Sequence, residues 1–229
     1  MERKLWRDAI SPKQYDKLDG WGDDRRGHEA FFWRQLQPFA DLWSGKDVLE
    51  VGAGTGWMLD RMDDSANSVL GLESSKEQFV RYFSDRPTHG GMFLCDWRNY
   101  RTTHKHDLVV AHMVLSHVPS LPEFFAWSRE RLKNTGACLI TVPDPEYFTS
   151  ETRGKLEFER CEEGRVVKRP GGTADVIREI EAYRLAGARI GFNLIAERLV
   201  VPDEEYIQLA PRYRAMEGRP IAHTLHFAH

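Results

Sequence analysis

The feature that most constrains the fold is a short apolar segment that runs directly into a glycine-rich turn. Residues 47–51 read Asp-Val-Leu-Glu-Val, a run typical of a buried parallel strand, and glycines follow at positions 52, 54 and 56. Residues 57–62 then have the pattern of a helix. Glycine tolerates positive φ and lets the backbone approach a ligand closely. A strand, a glycine turn and a helix in this order therefore indicate a nucleotide-binding turn.

The spacing of the glycines narrows the class of ligand. A dinucleotide-binding turn reads G-x-G-x-x-G/A, which would place the last small residue at position 57, where this chain has Trp57. The glycines instead run G-x-G-x-G, with Glu50 two residues ahead of the first. None of the seven tyrosines begins the Tyr-x-x-x-Lys pair of short-chain dehydrogenases. The pattern disfavours a nicotinamide-dependent oxidoreductase.

The rest of the chain alternates apolar, strand-like runs with amphipathic segments, which predicts an α/β fold with a mostly parallel sheet. The predicted strands are 47–51, 68–73, 91–95, 107–112, 137–142, 188–200 and 221–228, and the predicted helices are 57–63, 75–84, 121–133 and 173–186. A basic turn followed by Gly136 predicts the end of the third of these helices, and Gly187 predicts the end of the fourth.

Two segments lie outside this alternation. Residues 1–46 contain an amphipathic stretch rich in aromatic residues, 28–39, and are predicted to form an N-terminal helical cap. Residues 144–172 are predicted to be a lid or insertion that contains a β-hairpin over 156–170. Long insertions beside a ligand-binding edge are often functional. We therefore expect one domain, 1–229, that carries both embellishments.

Composition and charge restrict the partners and the compartment. The net charge is −3 and the pI is about 6.3, so no global field favours nucleic acid or an anionic membrane. The three cysteines share no C-x-x-C spacing, which is typical of reduced thiols and gives no structural zinc site. No stretch has the ~18–20 apolar residues that cross a bilayer. We expect a cytoplasmic protein with no membrane partner.

Polar and aromatic residues follow each of the first four predicted strands, where an open α/β sheet binds its ligand. Glu73 comes about 20 residues after the glycine turn, where a carboxylate can accept hydrogen bonds from ribose hydroxyls. After the third strand, Asp96 can take an exocyclic amine of adenine and Trp97 can cover the face of the base. His112 and His117 follow the fourth strand.

With these residues at the ends of its predicted strands, the chain resembles the class I S-adenosylmethionine-dependent methyltransferases, of the small-molecule, ubiquinone-biosynthesis-like type. The resemblance covers nearly the whole chain and lies in residues 50–56, Glu73, 95–97, 107–118 and 131–136, with Thr135 where most members have a second glycine. It implies a Rossmann-like, doubly wound sheet of seven strands in the order 3-2-1-4-5-7-6, with the last strand antiparallel.

The resemblance also implies a cofactor and a set of site residues. The cofactor would be S-adenosylmethionine, leaving S-adenosylhomocysteine as product, with no metal. The cofactor-binding residues would be Glu50, Gly52, Ala53, Gly54, Gly56, Glu73, Ser74, Asp96, Trp97, His112, Met113 and an N-terminal tyrosine, Tyr15. His117 is the first candidate for a catalytic general base, because its position borders the methyl-transfer pocket in this family, and His112 is the second.

The expected activity is methyl transfer to an oxygen or nitrogen of a small molecule, with a specialised metabolite favoured as the acceptor. Two alternatives stay open. The protein could methylate a protein or an RNA, although the acidic net charge disfavours nucleic acid, or it could bind S-adenosylmethionine without turnover as a partner subunit. A homodimer is compatible with the sequence, which does not specify the oligomeric state.

Overall fold

The computed structural model describes residues 25–85, 91–149, 157–161, 164–168 and 174–229. The helices are α1 Arg25–Leu36, α2 Trp57–Asp63, α3 Lys76–Asp85, α4 Leu121–Arg131, α5 Pro145–Thr149, α6 Ile180–Arg189 and α7 Glu204–Leu209. The strands are β1 Asp47–Val51, β2 Ser68–Glu73, β3 Met92–Leu94, β4 His106–His112, β5 Leu132–Pro143, β6 Glu157–Cys161, β7 Gly164–Lys168, β8 Ala174–Arg178, β9 Asn193–Val200 and β10 Ala222–Ala228.

Seven of these strands form one sheet in the order β3-β2-β1-β4-β5-β10-β9. The first five pair in parallel, while β10 runs antiparallel to both β5 and β9. Without the three strands of the insertion, this is the order 3-2-1-4-5-7-6 with the last strand antiparallel. The predicted fold class is confirmed. The carboxyl ends of β1 to β5 all reach the same edge of the sheet, which we call the carboxyl edge.

Both faces of the sheet are covered, which explains why its central strands are continuous apolar runs. Along β1, Leu49 and Val51 face a cluster that includes Phe125 of α4, whereas Val48 faces a cluster that includes Met58 of α2. Successive side chains of a strand point to opposite faces, so an apolar run of this kind requires helices on each side.

The predicted insertion 144–172 extends further than expected, to Arg178, because its strands β6 and β7 form a separate antiparallel sheet with β8 in the order β6-β7-β8. Strands β6 and β7 confirm the predicted hairpin. The predicted helix 173–186 is wrong in its first turns, because 174–178 form β8 and α6 begins only at Ile180. Strand β8 is stabilised by pairing with β7, for example through Val176 and Val166, and its residues Asp175 and Arg178 are both buried. These long-range contacts outweigh the local helical pattern.

Three further predicted boundaries are wrong. The helix predicted to reach 133 ends at Arg131, and β5 begins at once because Leu132 pairs with His106 of β4. Helix α6 continues through Gly187 to Arg189, and the turn falls at Gly191, where φ is +90°. Strand β9 consequently begins at residue 193 instead of 188.

The described part of the predicted N-terminal cap is α1 and a 3-10 helix over Gln37–Leu42. Helix α1 packs against α7, with the ring of Phe31 stacked on Tyr206 at a centroid distance of 3.9 Å. Tyr15 lies outside the described residues. Within the part of the chain that the structure describes, no helix combines the length and the apolar character needed to cross a membrane.

Candidate active site

The glycine turn lies at the carboxyl edge between β1 and α2 and is fixed by backbone hydrogen bonds to β2. The N–H groups of Gly52 and Ala53 both donate to the carbonyl of Leu72, at 2.8 and 3.1 Å. The φ angles at Gly52, Gly54 and Gly56 are +71°, +57° and +74°, a region that favours glycine. The turn therefore has the geometry that the glycine spacing predicts.

The three glycines differ in what surrounds them. A Cβ atom on Gly52 would overlap the side chain of Val114, and one on Gly56 would overlap the buried ring of Tyr82. A Cβ on Gly54 would have no protein atom within 4 Å. Gly52 and Gly56 are thus required by packing, whereas Gly54 borders open space, where a ligand can approach the backbone.

Two buried carboxylates flank this space. Glu73, the last residue of β2, accepts hydrogen bonds from the N–H groups of Gly54 at 2.8 Å and Ser75 at 2.6 Å. Burial raises the pKa of Glu73, and backbone hydrogen bonds from Ser75, Gly54 and Ser74 offset part of that rise. Burial raises the pKa of Glu50 well above its usual value, with the charge of Glu73 adding to the effect. The Oε2 atom of Glu50 is buried without a hydrogen-bond partner.

Asp96 and Trp97, which follow β3, are both held by contacts with other residues of the protein. Asp96 caps a short 3-10 helix by accepting from the Arg98 N–H at 3.0 Å, and its Oδ2 pairs with the Arg98 guanidinium at 2.8 Å. Trp97 packs edge-on against Phe124 and Trp127. The Asp96 carboxylate is therefore already bound by donors of Arg98. Its contact with adenine stays a prediction.

His112 ends β4 among aromatic rings. Its ring contacts Phe32 and Trp57 edge to face, at centroid distances of 5.0 and 5.3 Å. Burial lowers the pKa of His112 to about 3, which makes the ring a weak base at neutral pH. The next residue, Met113, has a φ of +55° and donates its N–H to the carbonyl of Thr141 at 2.8 Å. This strained turn ends β4 at the carboxyl edge.

His117 lies in the 3-10 helix Leu115–His117, and the structure pairs it with a residue of the insertion. Its Nδ1 is 2.8 Å from Oδ1 of Asp175, although the angle is not that of an aligned hydrogen bond. Asp175 is 1% exposed, while the His117 side chain is 24% exposed. A positive charge on His117 lowers the pKa of Glu73, so the ring lies near that carboxylate.

Arg178 fixes the loop that carries His117. Its guanidinium is 1% exposed and donates to the carbonyls of Leu115 at 3.0 Å, Val118 at 2.8 Å and Pro119 at 3.3 Å. Strand β8 therefore holds both the ring of His117 and the backbone on either side of it. Sequence reasoning missed Asp175 and Arg178. The adjacent β-branched residues Val176 and Ile177 were the available signal for a strand there.

A second charged cluster lies at the same edge, across β5, β10 and β9. His223 contacts Asp144 through Nε2 at 2.8 Å and Glu197 through Nδ1 at 2.7 Å. Burial disfavours the imidazolium, but the hydrogen bonds to Asp144 and Glu197 outweigh it and raise the pKa of His223. Asp144 also accepts from the N–H of Tyr147 at 2.7 Å and thereby begins α5. The cluster joins the insertion's first helix to the sheet.

A family model described as a methyltransferase domain matches residues 25–195, which include the turn, both acids, His112, His117 and β8. The chain belongs to this methyltransferase family. It is an enzyme of the class I type, and its methyl donor is S-adenosylmethionine, as predicted. The ubiquinone-biosynthesis-like subtype stays a prediction. A sequence comparison with curated proteins gives no match.

Solved methyltransferases share the fold at low sequence identity. An S-adenosylmethionine-dependent methyltransferase from Mesorhizobium loti is 17% identical with a TM-score of 0.67, covering 85% of this chain and 98% of its own. The CcbJ methyltransferase from Streptomyces caelestis is 18% identical with a TM-score of 0.64, covering 100% and 99%. Magnesium protoporphyrin IX methyltransferase from Synechocystis, solved with S-adenosylmethionine bound, is 13% identical with a TM-score of 0.57, covering 90% and 81%.

The residues at the carboxyl edge of this methyltransferase fit the cofactor chemically. The open space at Gly54 admits a ligand to the backbone, and the unpartnered Oε2 of Glu50 can accept from an ammonium group. Glu73 can accept from ribose hydroxyls. S-adenosylmethionine carries a sulfonium, an ammonium and a ribose, so two buried acids suit it better than they suit a pyrophosphate.

Proposed function

We propose that this enzyme methylates an oxygen or nitrogen atom of a small molecule. The observation that carries the proposal is a single buried cluster that joins the cap, the insertion and the site. It contains Phe31 and Phe32 of α1, Tyr206 of α7 and Ile177 of β8, and Trp57 and Met113 of the site pack against it. Apolar packing of this kind covers the site and keeps water out, which suits a small organic acceptor.

In this proposal the cap 1–46 and the insertion 144–172 form the acceptor side of one domain, over the cofactor residues of the carboxyl edge. A macromolecular acceptor would need an open surface, whereas the described aromatic residues of α1 and α7 are packed into the protein. The net charge of −3 also gives no general attraction for a nucleic acid.

Each site residue then has a proposed role. Gly52, Ala53, Gly54, Gly56, Glu50, Glu73 and Ser74 hold the methionine and ribose parts, and Asp96 and Trp97 hold the adenine. His112 and Met113 border the methyl group, with His112 as a neutral, weakly basic ring. His117 is the general base. When bound, the cofactor supplies an electrophilic methyl group, and the chain's main task is to position the acceptor and exclude water.

Two enzymes that share the fold are named for their acceptors. One is a magnesium protoporphyrin IX methyltransferase and another is the glycopeptide N-methyltransferase MtfA, which is 15% identical with a TM-score of 0.59. At these identities the similarity carries over the fold alone, so the acceptor requires a direct test.

The test incubates the purified enzyme with methyl-labelled S-adenosylmethionine and a cell extract, then separates products by size. We expect label in the low-molecular-mass fraction, and a heat-inactivated sample controls for background. Label confined to protein or RNA would refute the proposal. Tight binding of S-adenosylhomocysteine without transfer to any fraction would instead indicate a non-catalytic partner subunit.

A further inference from the structure

We infer that Asp175 is a positioning residue that fixes the ring of His117 for proton removal, so that the acceptor must carry a dissociable proton on the attacking atom. The inference rests on the proposed function and specifies its substrate class as a hydroxyl, a phenol or a protonated amine. It excludes thioethers, tertiary amines and alkenes as acceptors, because their attacking atoms carry no proton to remove.

The first step is the geometry of the two side chains. Oδ1 of Asp175 lies 2.8 Å from Nδ1 of His117, so the carboxylate acts on Nδ1, and proton removal is assigned to the second ring nitrogen, Nε2. A carboxylate beside one imidazole nitrogen favours the proton on that nitrogen and leaves the other as the base. The imperfect angle of the contact is typical of catalytic groups before the acceptor is bound.

The second step is the burial of Asp175. The side chain is 1% exposed, on a strand whose other polar side chain, Arg178, is equally buried. A buried carboxylate is costly unless it is paired, and an imidazolium is a suitable partner. Asp175 therefore stabilises the ring most at the moment when His117 has accepted a proton.

The third step is the anchoring of the loop. Arg178 donates to carbonyls on both sides of His117, so β8 fixes the backbone as well as the ring. A merely structural carboxylate would not need the loop to be fixed at the same time. The two contacts from one strand hold His117 rigidly beside Glu73, and hence beside the ribose end of the cofactor site.

The chemical step balances without any further reactant. The acceptor's proton passes to Nε2 of His117, before the attack for a protonated amine and as the new bond forms for a hydroxyl, and Asp175 stabilises the positive charge on the ring. A lone pair of the acceptor oxygen or nitrogen forms a bond to the methyl carbon as the carbon–sulfur bond breaks, and the bonding pair stays on sulfur. Solvent later takes the proton, which the partial exposure of the ring permits.

The first experiment reads the tautomer of His117 in the ligand-free protein. Histidine labelled with nitrogen-15 is measured by NMR across an alkaline pH series, the tautomer is read where the signal no longer changes with pH, and His117→Asn assigns the signal. We expect the proton on Nδ1 in the wild type and a shift toward Nε2–H in Asp175→Ala. The control Asp203→Asn changes a carboxylate away from His117, the one that caps α7, and should leave the signal unchanged.

A wild-type ring with its proton on Nε2 would overturn the inference without any variant, which covers the case in which Asp175→Ala does not fold. An unchanged tautomer in a folded Asp175→Ala would overturn it as well.

The second experiment measures methyl transfer to the low-molecular-mass extract fraction across pH. Asp175→Asn is expected to lower the rate at least ~10-fold at neutral pH, with S-adenosylhomocysteine bound as in the wild type. For a phenol or a protonated amine, the deficit should shrink toward about pH 9.5, where solution chemistry already removes part of the acceptor's protons. No deficit at neutral pH would overturn the inference, as would a deficit independent of pH with such an acceptor. Absence of transfer by the wild type would refute the proposed function and leave the tautomer result standing.

Discussion

Replacing Gly54 by alanine is expected to weaken cofactor binding far more than folding. Gly54 has a φ of +57°, and a Cβ there would meet no protein atom within 4 Å. The cost to stability is therefore backbone strain alone, about 1–2 kcal/mol. For a chain of this length each kcal/mol lowers the melting temperature by about 2–4 °C, which gives a decrease of about 2–8 °C.

The same methyl group would enter the open space at Gly54, where the cofactor is proposed to bind. Forcing an extra carbon into a filled site costs about 1–3 kcal/mol, so the affinity for S-adenosylhomocysteine should fall about 5- to 150-fold. Gly45 provides the matched control, because its φ is +66° and a Cβ there also has no neighbour within 4 Å. Gly45 precedes β1 at the opposite edge of the sheet, so Gly45→Ala should lose similar stability and no affinity.

Gly56 tests the other half of the reasoning. Its φ is +74°, and a Cβ would overlap the ring of Tyr82, which is 2% exposed. Strain and overpacking together predict a loss of about 2–5 kcal/mol in Gly56→Ala.

Chemical denaturation gives the free energies of unfolding of the three variants, and calorimetric titration gives the affinity for S-adenosylhomocysteine. The reasoning is refuted if Gly54→Ala binds as tightly as Gly45→Ala, or if Gly56→Ala is the most stable of the three.

Three further predictions follow from buried charges. His223 has a raised pKa. Its contribution to stability is therefore complete at pH values below about 6.5, the ordinary pKa of histidine, and is lost as the pH rises through the raised pKa. His223→Leu should lower the free energy of unfolding by about 3–5 kcal/mol at pH 6 and by less at higher pH, as measured by denaturation across pH. Glu50 has a raised pKa and a buried oxygen without a hydrogen-bond partner. Glu50→Gln should therefore raise the melting temperature of the ligand-free protein at pH 7 and weaken the binding of S-adenosylhomocysteine. A lower melting temperature would contradict this prediction. Arg178→Lys loses part of the fork that binds three carbonyls and should destabilise by about 2–4 kcal/mol in urea; an unchanged midpoint would contradict the anchoring of the His117 loop.

Much of the part of the site that is proposed to bind the methyl donor was predictable, because its conformation depends on local sequence. The turn after β1 needs glycines wherever φ is positive, and a buried parallel strand needs an apolar run, so residues 47–56 specify their own conformation. The residues after β2, β3 and β4 follow from one rule, that the carboxyl ends of parallel strands meet at one edge. The order of the strands came from the family resemblance and is confirmed by the sheet.

The elements that the sequence misassigned are those fixed by distant partners. Lys133 was assigned to the last turn of a helix, but its ammonium group contacts Asp47 at 3.0 Å and Asp107 at 2.8 Å, within β5. Local propensity is weak, and such contacts between residues far apart in the chain outweigh it.

The sequence by itself determined the fold class, the glycine turn and the two acids beside it, because each depends on a short pattern of residues. Only the tertiary structure decided that residues 174–178 form a strand and that Asp175 meets His117. Those residues lie far apart in the chain, and the contacts of Asp175 with His117 and of Arg178 with the loop carbonyls help to offset the cost of burying both charges. The residues proposed to bind the methyl donor therefore follow from short local patterns, whereas the proposed proton acceptor, His117 with Asp175, depends on contacts between distant parts of the chain.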